Sequence, residues 1–179
     1  MSALDPALRA RLARGEVVTR TQPVAGSKTP RLILDAMVSA PPAKVWVVID
    51  DGERYQEFMP RVSASQVLRR EGGEVRSRVT VAMPFPLKDL SAVTDAVHEV
   101  DAEADRYVRR WTLREGDYKR NEGSWTLRPF DEERTQTWVH YELHVEPKIR
   151  IPKKIAAAAQ GKAMPALIDS IRQRVRQLG

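Results

Sequence analysis

The C-terminal stretch from Pro152 to Leu178 constrains the fold more than any other part of the sequence. Its apolar residues recur at intervals of three and four, which predicts one long amphipathic helix. These residues are Met164, Leu167, Ile168, Ile171, Val175 and Leu178. The first half of the stretch contains the consecutive alanines 156–159. Because alanine side chains have little volume, we expect a helix that covers a sheet to leave a cavity behind this segment.

A series of short strands precedes this helix. Residues 31–39 alternate between apolar and polar side chains, which is typical of a strand with one buried face. Further strands are predicted at residues 63–70, 74–83, 91–100, 107–115, 118–128 and 135–145, with turn residues between them. Two short helices lie before these strands, one beginning at Pro41-Pro42 and one spanning Glu53–Met59. This order predicts an α+β fold in which a curved antiparallel sheet wraps around the C-terminal helix. The long helix is the only element expected to cover the sheet, and the two short helices close one end.

Residues 1–30 are interpreted as an N-terminal extension of the main domain, which spans residues 31–179. Asp5 followed by Pro6 predicts a helix N-cap with proline at the first helical position. Gly15 predicts the end of that helix, and a short strand follows at residues 16–24. We expect the extension to pack against the main domain.

The composition excludes several classes of protein. The chain contains no cysteine, which rules out disulfides and thiolate chemistry. No apolar run approaches the roughly 20 residues of a membrane span. The apolar N-terminal residues are interrupted by Asp5, Arg9 and Arg11, so we expect a cytoplasmic protein. The net charge is +6, but acidic residues lie among the basic ones. The sequence shows no basic segment interleaved with aromatic residues, so we expect no nucleic-acid binding.

Several motifs follow a common pattern. Residues 40–51 lead from a strand into the first short helix, and residues 55–62 lead from the second short helix into the next strand. Residues 123–129 read Gly-Ser-Trp-Thr-Leu-Arg-Pro, and residues 145–147 with 151–152 lead into the last helix. This pattern resembles the START-like superfamily, also called SRPBCC or helix-grip. It includes START lipid-transfer domains, birch-pollen-allergen-like proteins, polyketide cyclases and coenzyme Q-binding proteins.

One segment departs from the START pattern. The loop at residues 83–91 resembles a START loop that ends in an Arg-Asp pair, but this chain has Leu90-Ser91 there. The role of that pair is therefore not carried over to this chain.

The resemblance implies a deep apolar cavity between the curved sheet and the C-terminal helix. Most members bind or carry hydrophobic molecules and a minority catalyse reactions, and the fold alone does not choose between them. The leading expectation is binding or transport of a lipid, an isoprenoid quinone or a polyketide, without a cofactor. The alternative is a polyketide cyclase or aromatase that uses the same cavity.

The candidate ligand-binding residues follow from strand alternation. Arg109 shares a strand face with Trp111, so if Trp111 faces the cavity then Arg109 does as well. A cation in an apolar pocket would orient a polar or anionic group of the ligand. The alternative for Arg109 is an outward ion pair with an acid on the neighbouring strand. The other polar candidates are Asn121, Ser124 and Tyr141, and the apolar candidates are Trp111, Trp125, Leu143, Ala158, Ala159 and Met164.

Two further segments allow two interpretations each. The loop at residues 84–90 contains Phe85 and Leu87, which either form an apolar lip that touches a ligand or transiently a membrane, or pack onto the start of the long helix. Gly161 and Pro165 predict a kink in that helix, which is either a hinge or a fixed bend.

A third functional interpretation is a peripheral adaptor whose basic C-terminal helix meets anionic lipid or a partner. Its charge would come from Arg172, Arg174 and Arg176.

The residues His140, Glu142 and His144 alternate on one strand and therefore share a face. Such a group can hold a metal ion. The opposite face of this strand carries Tyr141 and Leu143 and must be the buried one, which places the histidines on the outer face. We therefore expect no metal site there. We also expect no catalytic residue, because neither a thiol nor a Ser-His-Asp arrangement is predicted.

Overall fold

A computed structural model describes residues 4–179, apart from the side chains of residues 158–161. The helices are α1 (Pro6–Ala13), α2 (Pro42–Asp50), α3 (Tyr55–Phe58) and α4 (Lys153–Gln177), and a 3-10 turn at Gly52–Arg54 precedes α3. The strands are β1 (Val18–Gln22), β2 (Arg31–Val38), β3 (Val62–Glu71), β4 (Glu74–Val81), β5 (Leu90–Asp101), β6 (Arg106–Gly116), β7 (Tyr118–Pro129) and β8 (Thr137–Pro147).

All eight strands form one curved antiparallel sheet, in the order β1-β2-β8-β7-β6-β5-β4-β3. Strands β3 to β8 follow one another as a meander, and β2 pairs with β8 on the far side. Strand β1 pairs with β2 and extends the same sheet. The sheet and the long C-terminal helix confirm the predicted α+β helix-grip architecture.

Helices α1 and α2 begin at the prolines that the sequence indicates, Pro6 and Pro42. The Asp5 side chain accepts a hydrogen bond of 3.0 Å from the Leu8 backbone N–H, which caps α1. Helix α3 is shorter than predicted, because Met59 is already extended, with ψ at 131°. The following Pro60 disfavours helical geometry at Met59.

Strand alternation gives the sheet an inner and an outer face. The register places Leu34 beside Tyr141 and Tyr141 beside Trp125 on the inner face. These residues belong to the same buried cluster as Ile168 and Ile171 of the second half of α4, which are fully buried. The main core therefore lies between the inner face and this half of the helix.

Helix α2 covers the inner face together with α4. It contacts β6, β7 and β8, whereas α4 contacts α2, α3 and β2. The side chains of Val45, Val48 and Ile49 form one stripe on α2 and are at most 1% exposed. The prediction that α4 alone covers the sheet is wrong, because the apolar stripe of α2 must be buried as well.

A second apolar cluster lies near the start of α4. It consists of Leu90, Ala92 and Tyr118, with Met83, Leu113, Val145 and Ile151 packed against it. Between this cluster and the main core, the inner face carries Trp111, Asn121 and Leu143, which are only half-buried. This half-covered stretch of sheet is where the candidate site begins.

Candidate functional site

Arg109 lies on the inner face of β6, between His98 of β5 and Trp125 of β7. It is only 5% exposed, and its Nη1 lies 2.8 Å from Nε2 of His98. Because a guanidinium only donates hydrogen bonds, Nε2 of His98 accepts. The outward ion pair considered from the sequence is therefore wrong, since the register points Arg109 into the interior.

His98 connects Arg109 to a polar row that reaches the edge of the sheet. Its Nδ1 lies 3.7 Å from Oδ1 of Asp50 at the end of α2. Asp50 in turn accepts two hydrogen bonds, of 2.9 and 3.1 Å, from Nη1 of Arg70 on β3. The ring of Trp46 meets the imidazole edge-on, with centroids 4.9 Å apart. The row Arg70–Asp50–His98–Arg109 therefore runs from a half-exposed arginine to a buried one.

His98 is neutral at physiological pH. Burial, and after it the positive charge of Arg109, lower the pKa of its imidazole to about 4, although Asp50 acts in the opposite direction. A neutral imidazole with Nδ1 protonated donates toward Asp50 and accepts from Arg109. Sequence reasoning missed this residue, because its role depends on the register between β5 and β6.

An aromatic wall stands beside Arg109 on the same face. The rings of Trp125 and Tyr141 have centroids 4.2 Å apart, and those of Trp111 and Tyr141 are 6.0 Å apart. The Trp111 Nε1 donates a hydrogen bond of 3.1 Å to Oδ1 of Asn121. Gly123 lies beneath the Trp111 ring, and a Cβ there would come within 2.5 Å of it. The glycine of the Gly-x-Trp motif therefore lets Trp111 lie across the sheet.

Some of the other predicted site residues lie in the buried core, and one lies on the outer face. Trp125, Tyr141 and Met164 belong to the buried core. Ser124 pairs with Glu142 on the outer face, so its predicted role in the cavity is wrong.

The alanine segment is only partly described. Ala156 and Ala157 are exposed, so their methyl groups do not pack against the sheet. The side chains of Ala158 and Ala159, and the surroundings of Gly161, lie outside the described part of the chain. Pro165 does lie inside α4, as the sequence indicates. A cleft of about 210 Å³ between β3, β4 and β5 is a different feature, because it is lined mainly by charged residues such as Arg76 and Asp95.

The loop between β4 and β5 has a packed part and an exposed part. Leu90 is buried in the second apolar cluster, which also receives Ile151 next to the start of α4. Leu87 is half-buried. Phe85, in contrast, is 96% exposed. One part of the loop therefore packs beside the helix, while its aromatic residue projects into solvent.

The outer face of β8 carries His140 in a network around a buried acid. Nδ1 of His140 donates to Asp35 at 2.7 Å, and Nε2 donates to Glu142 at 3.1 Å. Asp35 is 1% exposed and also accepts hydrogen bonds from Trp138 and Arg20. The hydrogen bond to Asp35 raises the pKa of His140. Both ring nitrogens are therefore committed to carboxylates.

His144 lies on the same outer face but is covered by the N-terminal extension. It is 1% exposed, and its Nε2 lies 3.0 Å from both the Ser27 hydroxyl and the Thr29 carbonyl. Because a carbonyl only accepts, Nε2 carries the proton. Among the described residues, no group of three or more His, Asp or Glu side chains has the geometry of a metal site.

The basic residues of α4 make contacts within the protein. Arg172 donates to the carbonyls of Met37 and Gly15. Arg174 pairs with Glu57 at 3.0 Å and lies over the ring of Phe58. Two of the three arginines of the adaptor interpretation are thus engaged inside the fold, which argues against that interpretation. Within the part of the chain that the structure describes, no helix is long and apolar enough to cross a membrane.

Comparison with known proteins gives one family and many similar structures. Residues 38–172 match the family model described as polyketide cyclase / dehydrase and lipid transport. No curated protein matches the sequence.

Three solved structures illustrate the similarity of the fold. The STAR-related lipid transfer protein from Xanthomonas axonopodis is 22% identical, with a TM-score of 0.76 over 89% of this chain and 93% of its own. Human StAR-related lipid transfer protein 5 is 13% identical, with a TM-score of 0.78 over 92% of this chain and 83% of its own. The Zhui aromatase/cyclase from Streptomyces sp. R1128 is 16% identical, with a TM-score of 0.63 over 82% of this chain and 93% of its own.

Proposed function

Because this chain belongs to the polyketide cyclase / dehydrase and lipid transport family, we propose that it binds and carries a hydrophobic small molecule. The ligand lies between the inner face of the sheet and α4, and it is a lipid, an isoprenoid quinone or a polyketide. The observation that carries this proposal is a buried arginine, Arg109, beside an aromatic wall that is not fully covered. Ligand pockets combine such apolar walls with a few polar groups.

The proposed contacts follow the inner face. Trp111 and Leu143 are half-buried and offer apolar surface, each Å² of which contributes about 25 cal/mol when a ligand covers it. Asn121 holds the Trp111 ring in place through its side-chain oxygen. Residues Trp125, Tyr141 and Met164 support this surface from the core. The predicted contacts from Ala158 and Ala159 remain part of the proposal.

A polyketide cyclase or aromatase is the second candidate function, because Arg109 could polarise a carbonyl. The neighbouring His98 is poorly suited to proton transfer, which argues against a cyclase. The ideal pKa of a general base lies near the working pH, whereas the pKa of His98 is lowered to about 4. Its Nε2 is also occupied by Arg109. The geometry therefore favours binding over catalysis.

A fluorescence experiment tests the location of the ligand. A variant that keeps only Trp111, with the three other tryptophans replaced by phenylalanine, is expected to be strongly quenched by bromododecane. A heavy bromine atom quenches on contact, and Trp111 lies on the inner face. The matched control keeps only Trp138, which lies on the outer face beside Asp35, and its quenching is expected to be weak.

Two measurements test the proposal. Equal quenching of both single-tryptophan variants would show that the hydrocarbon does not select the inner face. Native mass spectrometry of the purified protein, followed by organic extraction, is expected to recover a co-purifying apolar molecule. Failure of both measurements would remove the proposed function.

We further propose transient contact with an anionic membrane, made by two loops beside the second apolar cluster. Phe85 is 96% exposed and Ile149 is 40% exposed, and their loops contribute Met83 and Ile151 to this cluster. The basic residues in and next to these loops are Lys88, Lys148, Arg150, Lys153 and Lys154. Exposed apolar side chains among basic residues suit the headgroup region of anionic bilayers.

The double variant Phe85→Ser and Ile149→Ser is expected to bind vesicles of phosphatidylserine and phosphatidylcholine about tenfold more weakly. Full burial of one large apolar side chain contributes about 1.5–3 kcal/mol, and partial insertion retains part of this. Co-sedimentation with vesicles measures the effect. The control variant Val100→Ser removes an exposed apolar residue outside these loops, on β5, which is 55% exposed. If both variants lose affinity alike, or neither does, these loops do not contact the membrane.

A further inference from the structure

The polar row on the inner face has one positive charge more than it has negative charges. Arg70 and Asp50 form an ion pair, which leaves Arg109 facing a neutral imidazole at 2.8 Å. None of the described carboxylates forms an ion pair with Arg109, and the remaining residues of the chain include neither Asp nor Glu.

The other ionisable side chains near Arg109 do not supply a negative charge. Burial raises the pKa of the Tyr55 hydroxyl, and burial also raises the pKa of Tyr141. Both phenols are therefore neutral at physiological pH. The Tyr55 hydroxyl donates a hydrogen bond to the Ile49 carbonyl. The interior around Arg109 thus keeps a net positive charge.

A buried charge without a counterion carries a large desolvation cost. Many buried groups avoid it by changing their protonation state, but a guanidinium cannot lose its proton in a protein. A negative group that enters from outside the chain would remove this cost. Because Arg109 is 5% exposed, such a group must penetrate the interior to reach it.

We propose that the ligand is an amphipathic carboxylate, whose carboxyl group pairs with Arg109 and whose hydrocarbon chain lies against Trp111 and Leu143. This inference rests on the proposed binding function and names the ligand class for the same site. Nη1 of Arg109 is held by His98, and no described residue accepts a hydrogen bond from Nε or Nη2. These two donors form the planar fork that matches a carboxylate in a bidentate pair.

His98 acts as a positioning residue for this fork. Its Nε2 accepts from one side of the guanidinium, while Asp50 faces its Nδ1 from α2. The hydrogen bond to His98 therefore sets which edge of Arg109 remains for a ligand. The aromatic surface of Trp111 lies two positions further along the same strand face.

Titration with three molecules of equal chain length tests the inference: laurate, methyl laurate and lauryl alcohol. Isothermal calorimetry on the purified, delipidated chain measures the three affinities. Laurate is expected to bind about tenfold to a hundredfold more tightly than the ester or the alcohol, because a hydrogen bond to a charged group changes affinity by about this factor. The variant Arg109→Met keeps the apolar stem of the side chain and is expected to abolish this preference. The matched control is Arg110→Met, which removes an outward arginine on the same strand that pairs with Glu99.

The possible results separate the inference from the proposed function. If all three molecules bind wild-type protein equally well, the carboxylate inference is wrong and the binding function stands. If none of them binds, the carboxylate inference is wrong, and the quenching and mass-spectrometry measurements decide whether the proposed function stands. Tighter binding of lauryl phosphate than of laurate would also overturn the carboxylate assignment.

Thermal unfolding gives a second readout that does not depend on the affinity of the variant. Arg109→Met is expected to leave the Tm of the ligand-free protein unchanged or to raise it, because it removes an unpaired buried charge. Laurate is expected to raise the Tm of wild-type protein but not that of Arg109→Met. Should this variant fail to fold, Arg109→Lys keeps the charge without the fork and is expected to show a reduced preference for laurate. A preference equal to that of wild type would exclude the bidentate pair.

Discussion

Replacing Gly123 by alanine is expected to lower the free energy of unfolding by about 3 kcal/mol, the upper range for inserting a methyl group into a packed interior. A Cβ at this position would lie 2.2 Å from the backbone oxygen of Glu142 and 2.5 Å from the Trp111 ring. The oxygen belongs to the neighbouring strand β8, so no side-chain rotation can relieve the contact. Either the two strands separate locally or Trp111 is displaced from the inner face. Chemical denaturation measures the loss.

Gly52→Ala is the matched control for this substitution. Gly52 is also buried, but a Cβ there would meet its nearest neighbours, Val67 and Ser77, at 3.5 and 3.7 Å, which are ordinary contact distances. We expect this variant to keep nearly the stability of the wild type. Equal stabilities of the Gly123 and Gly52 variants would contradict the close packing of Trp111 on the sheet. Because Trp111 forms part of the proposed site, Gly123→Ala is also expected to weaken ligand binding.

The stability of the protein is expected to fall by about 3 kcal/mol as the pH drops from 6.5 to 4, because of His98 alone. The pKa of His98 is lowered from 6.5 in the unfolded chain to about 4 in the folded protein, by burial first and by Arg109 second. Between these values the unfolded chain binds a proton that the folded protein does not. The contribution is therefore fully present above pH 6.5 and is lost as the pH falls through 4. Unfolding free energies measured across this range test the sign and the size.

The variant His98→Gln is expected to lose this pH dependence, since glutamine offers an oxygen to Arg109 but does not titrate. His140→Gln serves as the comparison with the opposite sign. The pKa of His140 is raised by its hydrogen bond to Asp35, so its contribution is present below pH 6.5 and is lost as the pH rises through its folded value. A stability profile of His98→Gln that matches wild type between pH 4 and 6.5 would show that His98 is not held neutral in the interior.

Several features of the site were accessible to sequence reasoning because they depend on short-range spacing. Alternation placed Arg109 on the same face as Trp111, and the structure agrees. The same argument placed His140 and His144 on the outer face of β8, where both are found. Neither of these inferences required knowledge of the neighbouring strands. Ser124 was assigned to the cavity without applying this alternation, and it lies on the outer face.

The features that sequence reasoning missed depend on long-range pairing. His98 shows no pattern of its own on β5, and it meets Arg109 only because the register of β5 and β6 sets these two residues opposite each other. That register includes a shift between Val93 and Thr94, and one extra residue reverses which side chains face inward beyond it. The contact between Asp50 and His98 was missed for a similar reason. It joins residues distant in sequence and depends on how α2 packs on the sheet.

The sequence by itself determined the order of the elements, the faces of each strand and the single long helix, because backbone periodicity and proline or glycine signals act over a few residues. Only the tertiary structure decided that α2 shares the inner face with α4, that residues 27–29 cover His144, and that Arg109 is buried against His98. These contacts join residues far apart in the chain. Their geometry is set by the packing of whole elements, which local patterns do not encode.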